Sequence, residues 1–152
     1  MENCIFCKIV EGKIPCAKIW EDEKFLAFLD IRPVMKGMTL VIPKDHHGSY
    51  IFEQNDSLIL EIIKSGKIVA KMLEKALDVS RVALVAEGVG VNHLHLKLYP
   101  LHGFDPKTVF DTTKEELYFE KYEGFVSTQM GPQAEPEDLK KLAEFIVEKN
   151  KQ

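Results

Sequence analysis

Two imidazoles and an amine alternate with leucines in the segment Asn92-His93-Leu94-His95-Leu96-Lys97-Leu98-Tyr99. Alternate side chains of a β-strand share a face, so His93, His95 and Lys97 would line one side, and the leucines would pack on a core. Like-charged groups this close repel one another unless an anion or a metal lies before them. The segment therefore predicts a phosphate site with a nucleophilic or metal-bound imidazole. The alternative is a solvated strand face.

A second group of potential ligands begins with Cys4-Ile5-Phe6-Cys7. A redox CxxC motif normally follows a strand and opens a helix within a βαβ unit, and the sequence predicts no strand before this one. Tetrahedral zinc would need two further ligands. The available donors are the pairs His46/His47 and His93/His95. A Cys2His2 site that fastens the N-terminus to a sheet is one interpretation of this pattern.

These residues belong to a chain of 152 residues that is 45% hydrophobic and 29% charged, with a net charge of −4. Its length predicts a single domain, 1–152, with a substantial core. We expect a cytoplasmic protein without a membrane partner, because no apolar run approaches about 20 residues and the start lacks signal-peptide features. The mild acidity argues against binding to nucleic acid polymers. Three cysteines do not indicate a disulfide framework, and Cys16 has no assigned role.

The elements that must position these residues follow from the periodicity of apolar side chains. Alternating or β-branched runs predict strands at 18–21, 25–29, 38–42, 81–86 and 93–99, with another possible strand at 124–129. Residues 56–77 have the three- and four-residue spacing of an amphipathic helix, with Asn55 or Asp56 as its N-cap. A closing helix would begin near Pro136. The order predicts an α+β fold: an antiparallel sheet with one long central helix and a C-terminal helix.

Four segments, in this order, resemble the histidine triad (HIT) family of nucleotide hydrolases and transferases. They are Cys4-Ile5-Phe6-Cys7-Lys8-Ile9-Val10, Phe28-Leu29-Asp30-Ile31, Gly37-Met38-Thr39-Leu40-Val41-Ile42-Pro43-Lys44-Asp45-His46 and His93-Leu94-His95. The resemblance covers about residues 3–100, so that 101–152 would be a C-terminal extension. It implies a HIT-like α+β fold that dimerises through sheet and helix, with a nucleotide groove on the sheet.

The resemblance also implies roles for individual residues. His95 matches the middle histidine of the triad, which attacks the α-phosphorus of a nucleotide and forms a nucleotidyl-histidine that water or another acceptor resolves. Asp30 matches the aspartate that accepts hydrogen bonds from ribose hydroxyls; alternatively, it caps the turn before Pro33. In the zinc-containing bacterial and archaeal type, a structural zinc ion would be bound by Cys4, Cys7, His46 and His93.

The sequence departs from the family pattern at the phosphate contacts. Lys97 occupies the third triad position, giving a His-x-His-x-Lys variant; it could bind phosphate, or it could be a surface lysine. The loop at 86–92, which ends at Asn92, is shorter than usual and lacks the Gly-Gln-Ser/Thr ending. We assign Asn92 to nucleotide binding. Other contacts could come from the extension, where the candidates are Ser127, Thr128 and Gln129; the alternative is an ordinary edge strand and turn.

The predicted function is therefore hydrolysis of a purine nucleotide, either a dinucleoside polyphosphate or a nucleoside phosphoramidate, through an adduct on His95. A phosphorylase or nucleotidyltransferase would use the same nucleophile with another acceptor. A nucleotide-binding protein with little turnover is an alternative of a different class, favoured by Lys97 and the short loop. A zinc-stabilised structural module without nucleotide affinity is another.

Overall fold

The computed structural model describes residues 4–107 and 118–122. The chain divides into two compact units, Met1–Thr108 and Val109–Gln152. The architecture below is that of the first unit; the short stretch 118–122 belongs to the second. The strand predicted at 124–129, the closing helix, and the candidate contacts Ser127, Thr128 and Gln129 lie outside the described residues.

An antiparallel sheet forms the centre of the first unit and confirms the predicted α+β class. Its strands, in the described part of the chain, are β1 (Lys18–Glu21), β2 (Phe25–Leu29), β3 (Thr39–Pro43), β4 (Val82–Val85) and β5 (Leu96–Pro100). They lie in the order β1-β2-β3-β5-β4, so β3 is the central strand and β5 is its neighbour. Pro43 and Pro100 are the last residues of their strands, since proline cannot donate to a continuing ladder.

The predicted strand at 93–99 was wrong at its start, because β5 begins only at Leu96. The backbone N–H groups before it are used elsewhere: that of His93 donates to the Val91 carbonyl at 2.8 Å, and that of Leu94 to the His47 carbonyl at 2.9 Å. The histidine side chains are not solvated either, since His93 is 0% exposed and His95 is 3% exposed. The alternative of a solvated face is therefore wrong for both histidines.

The long helix α2 (Asp56–Leu77) covers one face of the sheet, as its periodicity predicted. Asn55 is the N-cap, and its side-chain oxygen accepts the Leu58 N–H at 2.9 Å. The helix buries one side against alternate residues of the strands; the buried cluster contains Phe25, Ala27, Val41, Ile51, Ile62, Val69, Leu73, Leu94, Leu96 and Leu98. The leucines of the histidine segment thus pack on this core, as expected. Within the described ranges, no helix is long and apolar enough to span a membrane.

A short helix, α1 (Ile5–Val10), lies on the opposite face of the sheet and was not predicted. Its Phe6 is 7% exposed and anchors the helix on Leu26, Phe28, Leu40 and Ile42. Six residues are too few for a helical period to be recognised in a sequence. The helix carries Cys7 and is capped by Cys4, so it brings both cysteines to the sheet.

Candidate active site and metal centre

The four residues expected to bind zinc come together at one end of the sheet. Their donor atoms all lie within 4.8 Å of one another in the group Cys4, Cys7, His46 and His93. The Sγ of Cys4 lies 3.4 Å from Nδ1 of His93, and the Sγ of Cys7 lies 3.3 Å from Nδ1 of His46 and 3.6 Å from that of His93. Of the adjacent pair His46 and His47, it is His46 that belongs to this cluster. His47 instead lines a cavity whose lining includes none of the four residues.

The geometry and chemistry of this cluster fit a tetrahedral zinc ion. Zinc bonds of about 2.3 Å to sulfur and about 2.0–2.1 Å to nitrogen place neighbouring ligand atoms about 3.5 Å apart in a tetrahedron. The Nε2–H of His93 donates to the Pro43 carbonyl at 2.9 Å, which leaves Nδ1 with a lone pair facing the thiols. Burial is the main cause that lowers the pKa of His93, so the ring is held in the neutral form that binds metals.

A bound cation would also favour the deprotonated form of the Cys4 and Cys7 thiols. Burial raises the pKa of Cys7, and the neighbouring Cys4 raises it further through a hydrogen bond and its charge. Two thiols in contact resist losing both protons, because the second thiolate would face the first. A divalent cation removes that penalty, since a coordinating thiol is deprotonated by the ion.

His95 follows two residues after His93, and its ring has a defined tautomer. Its Nδ1 is 2.7 Å from the backbone carbonyl of His93; because a carbonyl only accepts, Nδ1 carries the proton. Nε2 is then the atom with the free lone pair. Burial is the main cause that lowers the pKa of His95, so the imidazole is neutral near pH 7. The ring of Phe6 packs edge-on against it, with 5.6 Å between centroids. A neutral, oriented imidazole is the form that acts as a nucleophile.

Lys97 points to the same face and forms an ion pair that sequence reasoning missed. Its Nζ lies 2.8 Å from Oε2 of Glu87, and the two side chains are only 21% and 10% exposed. Burial acts to lower the pKa of Lys97, but the hydrogen bond and charge of Glu87 outweigh it, so the net shift is upward. Lys97 is therefore a permanent cation. The signal that could have found Glu87 is its place two residues beyond Val85, which pairs with Lys97 across the sheet.

Asp30 follows β2, and the structure shows the turn-capping interaction that was one of its two expected interpretations. One oxygen, Oδ1, accepts the Arg32 N–H at 2.7 Å and so stabilises the turn before Pro33. The charge of the Asp30 carboxylate also acts on the pKa values of His95, Lys97 and Tyr99. The turn uses Oδ1, and a contact of the carboxylate with ribose hydroxyls stays a prediction.

Asn92 contributes to the loop that supports the site. Its Oδ1 accepts the Ser49 N–H at 3.0 Å, and the Ser49 hydroxyl donates to the Gly88 carbonyl at 2.7 Å. Ser49 therefore ties both ends of the short loop at 86–92 to the segment after β3. A direct contact between Asn92 and a nucleotide stays a prediction.

Comparison with known proteins agrees with this geometry. A model of the HIT domain family matches residues 11–103, and the chain therefore belongs to this family. It is 39% identical to Protein hit of Bacillus subtilis over 107 residues, which are 67% of this chain and 73% of that protein. It is 48% identical to an adenosine 5'-monophosphoramidase of Schizosaccharomyces pombe, over 47% of this chain and 53% of that enzyme. Over 64% of this chain and 52% of the relative, it is 30% identical to an adenylylsulfatase of Arabidopsis thaliana.

Solved structures show the same fold. A protein from Streptococcus mutans superposes with a TM-score of 0.70 at 31% identity, covering 98% of this chain and 86% of the other. A zinc-bound histidine triad protein from Mycobacterium smegmatis superposes with a TM-score of 0.61 at 33% identity, over 70% of this chain and 81% of the other. The chain is thus an enzyme of the HIT hydrolase and transferase class.

Proposed function

We propose that this chain hydrolyses a phosphoanhydride or phosphoramidate bond of a purine nucleotide through a covalent adduct on His95. The observation that carries the proposal is the hydrogen bond from Nδ1 of His95 to the His93 carbonyl, which leaves Nε2 as the attacking atom. Nε2 attacks the α-phosphorus and the bond to the leaving group breaks, with that group taking a proton from solvent. Water then attacks the nucleotidyl-histidine, releases a nucleoside monophosphate and a proton, and regenerates the neutral imidazole.

Nucleoside phosphoramidates and dinucleoside polyphosphates are the substrates that we propose to test. The names of the Schizosaccharomyces relative, a monophosphoramidase, and of the Arabidopsis relative, an adenylylsulfatase, both denote cleavage next to an adenylyl group. Both names favour an adenine nucleotide and water as the acceptor. A phosphorylase or transferase would share the adduct and differ only in the acceptor.

The remaining groove residues would bind the nucleotide. In this His-x-His-x-Lys variant, the Lys97 ammonium would neutralise charge on the α-phosphate as it grows in the transition state. Asp30 would accept hydrogen bonds from the ribose hydroxyls with the oxygen that the turn does not use. Further contacts are proposed for Asn92, and in the C-terminal extension for Ser127, Thr128 and Gln129.

We also propose a structural zinc ion at the cluster Cys4, Cys7, His46 and His93. The supporting observations are the spacing of the four donor atoms and the zinc-bound Mycobacterium structure. The ion would link α1 to the sheet and would not touch the reacting phosphate. His93 would then be fixed from both sides, by its ring and by the carbonyl that orients His95.

A homodimer is the proposed assembly. β4 is an edge strand of the described sheet, and its Leu84 is 43% exposed. Leu60 and Ile63 of α2 are 61% and 40% exposed. Exposed apolar side chains and an open sheet edge are each typical of a protein interface. A cytoplasmic location, and the absence of membrane or nucleic acid polymer partners, stay predictions.

Intact-mass analysis after mixing with a slowly hydrolysed adenosine phosphoramidate tests the reaction. We expect an adenylyl adduct that disappears in His95→Ala and persists in His47→Ala, a matched histidine outside both sites. Release of product should not depend on inorganic phosphate, whereas a phosphorylase would require it. Neither adduct nor turnover across phosphoramidate and dinucleoside polyphosphate substrates would contradict the proposal. Binding of adenosine monophosphate without any turnover would support the binding-protein alternative instead.

A further inference from the structure

The ion pair between Lys97 and Glu87 is unusual because it is half-buried and lies beside the nucleophile. The side chain of Glu87 is only 10% exposed, so water screens its charge poorly. Its partner is the same ammonium that the proposed function assigns to substrate phosphate. Each phosphate that enters must therefore share Lys97 with a carboxylate already bound to it.

The backbone around Glu87 holds this carboxylate in place. Gly88 has a φ of +73°, and a Cβ there would lie 3.0 Å from the Ser49 carbonyl oxygen. The Ser49 hydroxyl in turn donates to the Gly88 carbonyl at 2.7 Å. On the other side, Val85 pairs with Lys97 across the sheet. The backbone that carries Glu87 is thus fixed between a strand and a clamped turn, so the carboxylate stays within reach of Lys97.

The charges around His95 do not sum to the strongly positive surface that an anion would prefer. Among the described residues, the side-chain charges that act most strongly on the His95 ring are those of Lys97, Glu87 and Asp30. Of these three, one is a cation and two are anions. A nucleoside monophosphate carries about two negative charges at pH 7. The two carboxylates therefore oppose a phosphate placed beside His95, whereas they exert no such repulsion on an uncharged nucleoside.

We propose that Glu87 is a specificity-determining residue that weakens ground-state binding of nucleotide phosphate by competing for Lys97. The proposal rests on the proposed function for the identity of the ligand. Because Glu87 opposes the bound product as well as the substrate, it limits product retention and reserves Lys97 for charge that develops during the reaction. Neutralising Glu87 removes the competition while the amide oxygen of glutamine can still accept from Lys97.

Calorimetric titration with adenosine monophosphate and with adenosine separates this role from general damage to the groove. In Glu87→Gln we expect the Kd for adenosine monophosphate to fall about fivefold to tenfold, the effect of one partly screened charge. The Kd for adenosine should not change, because adenosine has no phosphate. The matched control is Glu61→Gln, which neutralises the glutamate of another 2.8 Å ion pair, with Lys24, and should change neither value.

Two further variants keep the test independent of one substitution. Glu87→Asn should tighten monophosphate binding in the same direction, and Glu87→Asp, which keeps the charge, should remain near the wild type. An unchanged or weaker monophosphate affinity in both neutral variants would overturn the role of Glu87 alone. So would an equal gain for adenosine. Failure of every variant and the wild type to bind either ligand would overturn the proposed function as well.

Discussion

Metal removal is the perturbation whose size can be worked out from the structure. The cluster joins Cys7 to His46 and to His93, which are 39 and 86 residues away along the chain. The loop-entropy relation used for disulfides gives about 4 kcal/mol for closing a loop of the shorter length. We take this single closure as the minimum loss, because a metal that leaves on unfolding stabilises the fold by its whole binding free energy. For a chain of this size, about 4 kcal/mol corresponds to a drop in Tm of about 8–16 °C.

Thermal unfolding followed by circular dichroism measures this loss in zinc-loaded protein, in chelated protein and after zinc is restored. The metal content of each sample should be determined by mass spectrometry, with one zinc per chain expected in the loaded state. Cys7→Ala should unfold at the lower temperature and should not respond to the chelator. Cys16→Ala is the matched control, since Cys16 is also a half-buried free thiol but lies outside the cluster. It should respond to chelation as the wild type does.

A zinc-free protein that unfolds at the same temperature as the zinc-loaded protein would refute this reasoning. So would a Cys16→Ala protein that has lost its response to chelation, because the effect would then not depend on these four ligands. A loss much larger than about 16 °C would mean that zinc binding contributes more than the closure of one loop.

Three further predictions concern the elements that hold the site, each checked by urea denaturation. Asn55→Ala should cost about 1 kcal/mol, because it removes the cap that accepts the Leu58 N–H; no loss would mean that the cap is not needed. Leu96→Ala should cost about 2–5 kcal/mol because Leu96 is 0% exposed, whereas Val34→Ala, at 76% exposure, should cost less than about 0.5 kcal/mol. Gly88→Ala should cost about 1–3 kcal/mol more than Gly12→Ala, since both have positive φ but only Gly88, of these two, would place its Cβ against a neighbour within 4 Å. Equal costs for the two glycines would show that the contact with Ser49 is unimportant.

The parts of the fold that the sequence predicted are those governed by side-chain period. The helix at 56–77 has 22 residues, enough for its apolar side to repeat several times, and its bounds were predicted without error. The strands at 18–21 and 25–29 were likewise predicted. The helix α1 has six residues and no complete amphipathic pattern, and it forms because Phe6 packs on the sheet. Such packing is a tertiary effect that a local pattern cannot contain.

In the candidate site, too, the residues marked by type and spacing were predicted, and those that depend on tertiary contacts were not. Residue type and spacing indicated a metal or phosphate site, but left His46 and His47 equivalent until the resemblance was considered. Glu87 was not predicted as a site residue, because its contact with Lys97 depends on the register between β4 and β5. Only when β4 pairs with β5, with Val85 opposite Lys97, does the carboxylate come within 2.8 Å of the ammonium. The first residue of β5 also depends on a tertiary contact, since the Leu94 N–H donates to the His47 carbonyl and not to a neighbouring strand.

The spacing of one residue between His93 and His95 has a physical reason that neither side chain shows alone. The ring of His93 is held by the Pro43 carbonyl on one nitrogen and faces the thiols with the other. Its backbone carbonyl accepts the Nδ1 proton of His95. Holding His93 therefore fixes the carbonyl, which selects the tautomer of His95 and leaves the lone pair on Nε2. At this spacing one residue contacts the thiols with its side chain and orients the His95 ring with its backbone.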